Sequence, residues 1–65
     1  MKIVLNGEAR EVTDPRLDRI LEEVGLGDAR VATAVNGEFV PAGLRASREL
    51  AEGDRLEALA PMQGG

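Results

Sequence analysis

The sequence has no cysteine, no histidine, no tryptophan and no tyrosine, and only one phenylalanine, in 65 residues. Without cysteine there are no disulfides, no thiol nucleophile and no thiolate metal site. Without histidine the usual general base near neutral pH and the commonest metal ligand are missing. Ser47 is the single serine, so the side chains hold almost no nucleophilic inventory. An enzyme acting alone is not expected. Aromatic stacking platforms and a basic surplus are also missing, since eight Lys plus Arg face 12 Asp plus Glu for a net charge of −4. That balance argues against a nucleic-acid binder and fits a soluble protein that docks on basic partners. No apolar run approaches the roughly 18–20 residues of a membrane span, so no membrane partner is expected. The opening MKIVLNGE lacks a signal-peptide pattern, and a cytoplasmic location follows as the expectation.

What is present fits one small domain. A chain of this length buries only about 60% of its unfolded surface, so its stability rests on a single small core. Ile3-Val4-Leu5 reads as a strand stopped by Asn6-Gly7, a dipeptide suited to a two-residue type I′ turn. Residues 8–12 return as a second strand. In that register Leu5 faces Glu8, Ile3 faces Arg10 and Met1 faces Val12, which puts Arg10 on the apolar face. Snorkelling at an edge or a longer turn would resolve this, and the register stays open. Leu17, Ile20, Leu21 and Val24 then form one helical stripe, with Asp14 as cap, Pro15 at the first helical position and Gly25-Leu26 as a Schellman ending. Val31 to Val35, a second Asn-Gly turn at Asn36-Gly37, and Glu38-Phe39-Val40 predict another hairpin ended by Pro41. Residues 42–50 are weakly patterned, with room for a helical turn; Arg55 to Ala60 make a last strand after the turn at Glu52-Gly53-Asp54. One helix on one mixed sheet of four to five strands is the economical α+β solution. The domain is expected over residues 1–60, with 61–65 as a flexible tail.

The tail, Pro61-Met62-Gln63-Gly64-Gly65, carries the one feature with chemical content. By default a Gly-Gly end frays. Here it follows directly on a strand, five residues beyond Ala60 span about 16 Å at roughly 3.3 Å each, and the body offers no competing reactive group. A terminal carboxylate is a poor electrophile and needs activation, for example as an acyl-adenylate. Glycines pass a narrow enzyme channel without side-chain collision and leave the carbonyl carbon open to a sulfur or amine nucleophile.

The segments MKIVLNGE, VATAVNGEFVP at 31–41, LAEGDRLEAL at 50–59 and the Gly-Gly end together resemble the ThiS family, the ubiquitin-like β-grasp sulfur carriers of thiamine thiazole biosynthesis. The resemblance implies a protein cosubstrate and not an enzyme. An adenylating enzyme of the ubiquitin-activating type would use Mg-ATP on Gly65. A sulfurtransferase or cysteine desulfurase would supply sulfur as a persulfide, and thiazole synthase would take it from the C-terminal thiocarboxylate. No cofactor would be bound by the carrier itself. Gly65 would carry the sulfur, with Gly64, Gln63 and Met62 recognised as the tail. Pro61-Met62-Gln63 also leans towards the small subunit of molybdopterin synthase, which shares fold and terminus. A ubiquitin-like modifier, or a sulfur carrier for tRNA thiolation, is a third reading. Among the other residues, Phe39 is expected to plug the core in preference to anchoring a partner. The solitary Lys2 beside seven arginines reads first as a bias towards arginine, and second as protection of an activated terminus from amines. The acids at 8, 11, 52, 54 and 57 read as solvated surface, with partner contacts as the sharper alternative.

Overall fold

Alternation of apolar and polar residues in short runs, bounded by turn dipeptides, produces a sheet built from hairpins, and the apolar helical stripe needs one face of that sheet to cover it. The structure, a computed structural model, describes residues 1–27 and 30–60. Strands β1 (Lys2–Leu5) and β2 (Glu8–Glu11) form the first hairpin, helix α1 (Leu17–Glu23) follows, and β3 (Ala32–Val35) with β4 (Glu38–Val40) forms the second. A 3₁₀ helix over Ala42–Ser47 leads to β5 (Arg55–Leu59). The five strands make one sheet in the order β2-β1-β5-β3-β4. β5 runs parallel to β1 and antiparallel to β3, so the sheet is mixed. This is the β-grasp arrangement expected from the sequence. Ile3, Leu5, Val35, Leu56 and Ala58 from the sheet and Leu17, Ile20 and Leu21 from α1 share a single buried cluster.

The first hairpin adopts the register in which Leu5 pairs with Glu8 and Ile3 with Arg10. Asn6 (φ 48°) and Gly7 (φ 86°) both take positive φ, as a type I′ turn requires. Arg10 is tolerated because β2 is an edge strand and the residue is only half-buried. The ladder continues past the strands through Val12 N–H to the Met1 carbonyl (2.8 Å) and the Met1 ammonium to the Val12 carbonyl (2.7 Å).

The helix ends as expected and begins differently. Gly25 at φ 85° lets its N–H reach the Glu22 carbonyl and the Leu26 N–H reach the Leu21 carbonyl (2.7 Å), the two bonds of a Schellman motif. At the start, Asp14 and Pro15 do not cap the helix. Arg16 is the residue before its first turn, extended at ψ 134° and without a side-chain cap. The cause lies far along the chain: the Pro15 carbonyl accepts from Leu50 N–H (2.8 Å), and Leu17 N–H donates to the Arg48 carbonyl (2.9 Å). This isolated bridge holds Arg16 in β geometry and supplies the partner that a capping side chain would otherwise provide. Asp14 instead accepts from Arg16 N–H (2.9 Å). The loop before it is held by Glu23, whose carboxylate accepts from the Thr13 N–H and hydroxyl and from Asp14 N–H.

Both turn asparagines also grip β5. The Asn6 amide accepts from Ala58 N–H (2.9 Å) and donates to the Ala58 carbonyl (3.1 Å), while its own N–H donates to the Leu56 carbonyl. It thus imitates one more residue of strand β1 alongside β5. At the other end, Asn36 accepts from Arg55 N–H (3.0 Å) and donates to Asp54 Oδ1 (3.1 Å). A carboxamide offers a donor and an acceptor on separate adjacent atoms, as pairing with both groups of Ala58 demands.

Two outcomes follow from these contacts. Asn6→Gly keeps the positive φ and deletes the clamp, and is expected to lower unfolding free energy by about 1–2 kcal/mol. Asn6→Ala adds the left-handed penalty, for a total of about 2–4 kcal/mol. Urea titration measures both, and Ala58 amide exchange should accelerate in each variant; an unchanged Ala58 exchange rate in Asn6→Gly contradicts the clamp. The second outcome concerns acid. Thr13 hydrogen bonds hold the Glu23 carboxyl below its ordinary 4.5, and the Ala51 N–H, then the Asn36 amide, hold Asp54 below 3.8. Depressed folded values mean that this stability is complete above the unfolded pKa and is lost as pH falls through the folded one. The urea midpoint should therefore drop as pH falls below about 4.5. Glu23→Gln should lower the midpoint at neutral pH and flatten that acid limb, and a limb as steep as in the unsubstituted chain would rule the contact out.

Candidate functional site

The expected reactive end follows β5, a strand paired on both sides. β5 lies third of five across the sheet, between β1 and β3, and its last paired residue, Leu59, stands opposite Ala32. Leu56 and Ala58 point into the core, while Arg55, Glu57 and Leu59 are exposed, so alternation along β5 fixes which face each residue presents. Leu59 is the last residue of β5, and Ala60 is the last residue described. Met62, Gln63, Gly64 and Gly65, the residues expected to be recognised and loaded, lie outside the described residues.

Exposed apolar side chains stand near this exit point. Phe39, expected in the core, is 65% exposed and pairs with Ala34 on the sheet face away from α1. Its neighbours in β4 explain this: Val40 is the residue of that strand that points inward. A strand three residues long that turns Val40 in must turn Phe39 out. Leu59, 59% exposed, shares that outer face. Beside it lies an open groove of about 520 Å³ whose lining includes Arg30, Ala32, Phe39, Pro41 and Arg45.

Arg45 is a functional candidate that the sequence pattern did not single out. Its Nε donates to Thr33 Oγ1 (3.1 Å) and its NH2 group to the Val31 carbonyl (2.6 Å), while the buried Thr33 hydroxyl donates to the Val40 carbonyl (2.7 Å). These bonds tie the 3₁₀ helix to the start of β3, next to the end of β5. The clamp role of Asn6 was equally hidden behind its turn role. The available signal was its amide, since glycine satisfies the turn alone.

The acids divide. Glu11 pairs with the Met1 ammonium (3.1 Å), Glu52 accepts from Lys2 N–H and Asp54 serves the turn into β5, whereas Glu8 and Glu57 stand exposed. Among the described residues no group of three or more acidic side chains is arranged to hold a metal ion. No helix among them is long and apolar enough to cross a membrane. Lys2 is exposed and lies at the opposite end of the sheet from the exit point, because Val4, two residues on, already pairs with Arg55 at the start of β5.

Comparison with known proteins agrees with this architecture. The family model described as the ThiS family matches residues 3–65, which includes both terminal glycines. The sulfur carrier protein ThiS of Thermus thermophilus is 39% identical over 61 residues, spanning 94% of this chain and 95% of that protein. A thiazole synthase of Paramagnetospirillum magneticum is 36% identical over 66 residues; the match takes in 100% of this chain but only 20% of that longer protein. The crystal structure of the thiamine biosynthesis protein ThiS from Geobacter metallireducens superposes with a TM-score of 0.85 at 25% identity over the full length of both chains. A solution structure of a thiamine biosynthesis protein from the same organism gives 0.77, covering 100% of this chain and 88% of that one. The chain belongs to the ThiS family.

Proposed function

We propose that this protein is a sulfur carrier of thiamine biosynthesis that cycles between a C-terminal carboxylate and a thiocarboxylate on Gly65. The observation that carries the reading is the family match through residue 65, on a fold whose central strand, β5, ends at Leu59, six residues earlier. The likeness to ThiS proteins favours this pathway over the molybdopterin, tRNA-thiolation and modifier readings.

In this scheme residues 1–60 are a holder and 61–65 a probe of about 16 Å at full stretch. An adenylating partner, using Mg-ATP, joins the Gly65 carboxylate to the α-phosphate of ATP and releases pyrophosphate. The terminal sulfur of a persulfide, on a sulfurtransferase or cysteine desulfurase, attacks the acyl carbon and AMP leaves. A second thiol cleaves the resulting acyl disulfide, giving the thiocarboxylate and a mixed or internal disulfide on the donor side. Thiazole synthase takes the sulfur, and hydrolysis returns the carboxylate. Gly64 provides clearance in the partners' channels, while Met62 and Gln63 give them side chains to recognise. The carrier contributes no catalytic side chain, consistent with its lack of cysteine and histidine.

Mass spectrometry after incubation with the adenylating partner, Mg-ATP and a persulfide donor should show one carboxyl oxygen of Gly65 replaced by sulfur. Appending a single residue after Gly65 should abolish loading and leave the far-UV circular dichroism unchanged. Loading of the extended chain at the normal rate would exclude Gly65, whose carboxyl is then a peptide carbonyl, as the required reactive group.

A further inference from the structure

The groove beside the exit point has a charge that the rest of the chain does not lead one to expect. The protein carries 12 acids against eight bases, yet among the described residues the groove lining includes Arg30 and Arg45 and no carboxylate. Its apolar part is formed by Val31, Ala32, Phe39, Pro41 and Ala42. Arg45 is held in place by Thr33 and the Val31 carbonyl, so ordering it on binding costs little additional side-chain entropy. Both of those partners are neutral, which leaves its positive charge unneutralised by them. An exposed aromatic flanked by guanidinium groups has the composition of a protein-docking hot spot.

We propose that this groove receives an acidic segment of the protein that accepts sulfur from Gly65, with an apolar side chain of that segment against Phe39 and Pro41 and a carboxylate against Arg30 and Arg45. Partner identity rests on the sulfur-carrier reading; the chemistry of the segment rests on the groove. Proximity supports the assignment. Ala32 lines the groove and pairs with Leu59, so the groove begins one strand away from the chain's exit, about 5 Å at the spacing of adjacent strands. A protein that encloses Gly65 at the end of a tail of about 16 Å also comes within reach of the groove. The net negative charge of the chain would otherwise select a basic partner surface everywhere. A groove with two arginines in its lining beside the exit therefore sets orientation as well as affinity.

Isothermal titration and stopped-flow association with the cognate thiazole synthase test this, using the full chain. Arg30→Glu is expected to slow association roughly tenfold and to reduce its sensitivity to salt. Phe39→Ala is expected to weaken affinity by roughly 30-fold, the equivalent of about 2 kcal/mol. Arg19→Glu makes the same charge change on the exposed side of α1 and should leave binding within about twofold. Both groove residues are exposed, and unchanged circular dichroism verifies that the variants fold. Arg30→Glu binding as well as Arg19→Glu, or binding more tightly than the unsubstituted chain, overturns the acidic-segment proposal. If that happens while Gly65 is still loaded with sulfur, the groove inference fails and the carrier function stands. If the unsubstituted chain neither binds the synthase nor is loaded, the carrier reading falls and takes the proposal with it.

Discussion

Everything in this small protein depends on holding β5 from both sides. A C-terminal segment is ordinarily the first part of a domain to fray. Here the last strand is placed third in a sheet of five, with a parallel ladder to β1 and an antiparallel one to β3. Releasing it would break both ladders and expose Leu56 and Ala58 at once. The parallel side is the weaker, since only Val4 and Leu5 pair directly with β5. Asn6 extends that side by one residue's worth of hydrogen bonds to Ala58, just before the chain leaves the sheet. The anchored strand ends at Leu59, six residues before Gly65, the residue proposed to carry sulfur.

Two Asn-Gly turns accomplish this with little sequence. Each turn needs positive φ at both positions, which glycine or asparagine tolerates. Choosing asparagine for the first position adds an amide that reaches sideways to β5, at Ala58 from one hairpin and at Arg55 from the other. The two hairpins therefore resemble each other because they flank the same strand and grip it at opposite ends. For a domain with so small a core, contacts that serve turn geometry and strand order together carry unusual weight.

Local chemistry was legible in the sequence where its cause was local. The Schellman ending at Gly25, the type I′ turns and the order of hairpin, helix, hairpin and strand all follow from residues within a few positions of one another. The helix start was not, because the group that satisfies Leu17 N–H is the Arg48 carbonyl, 31 positions away and unmarked by any side chain. Phe39 was misplaced for a related reason. Size and rarity suggested the core, but strand alternation is decided by which of two neighbours faces inward, and the fold chose Val40. Arg45 offered no periodic signal at all, since its partners are a hydroxyl and a carbonyl on β3.

The distribution of amines sharpens the meaning of a body poor in reactive groups. An activated acyl terminus is attacked by any primary amine within reach. This chain has two, the N-terminal ammonium and Lys2, and both sit at the start of β1. Because β1 and β5 are parallel neighbours, the start of one and the finish of the other lie at opposite ends of the sheet. The Lys2 backbone lies six residues of strand rise, roughly 20 Å, from the level of Leu59. The N-terminal amine is further restrained, donating to the Val12 carbonyl and paired with Glu11. The parallel pairing of β1 with β5 thus puts the backbone that bears both amines at the far end of the sheet from the end of β5, and a preference for arginine elsewhere keeps charge on the surface without adding a primary amine to compete at the terminus proposed to be activated.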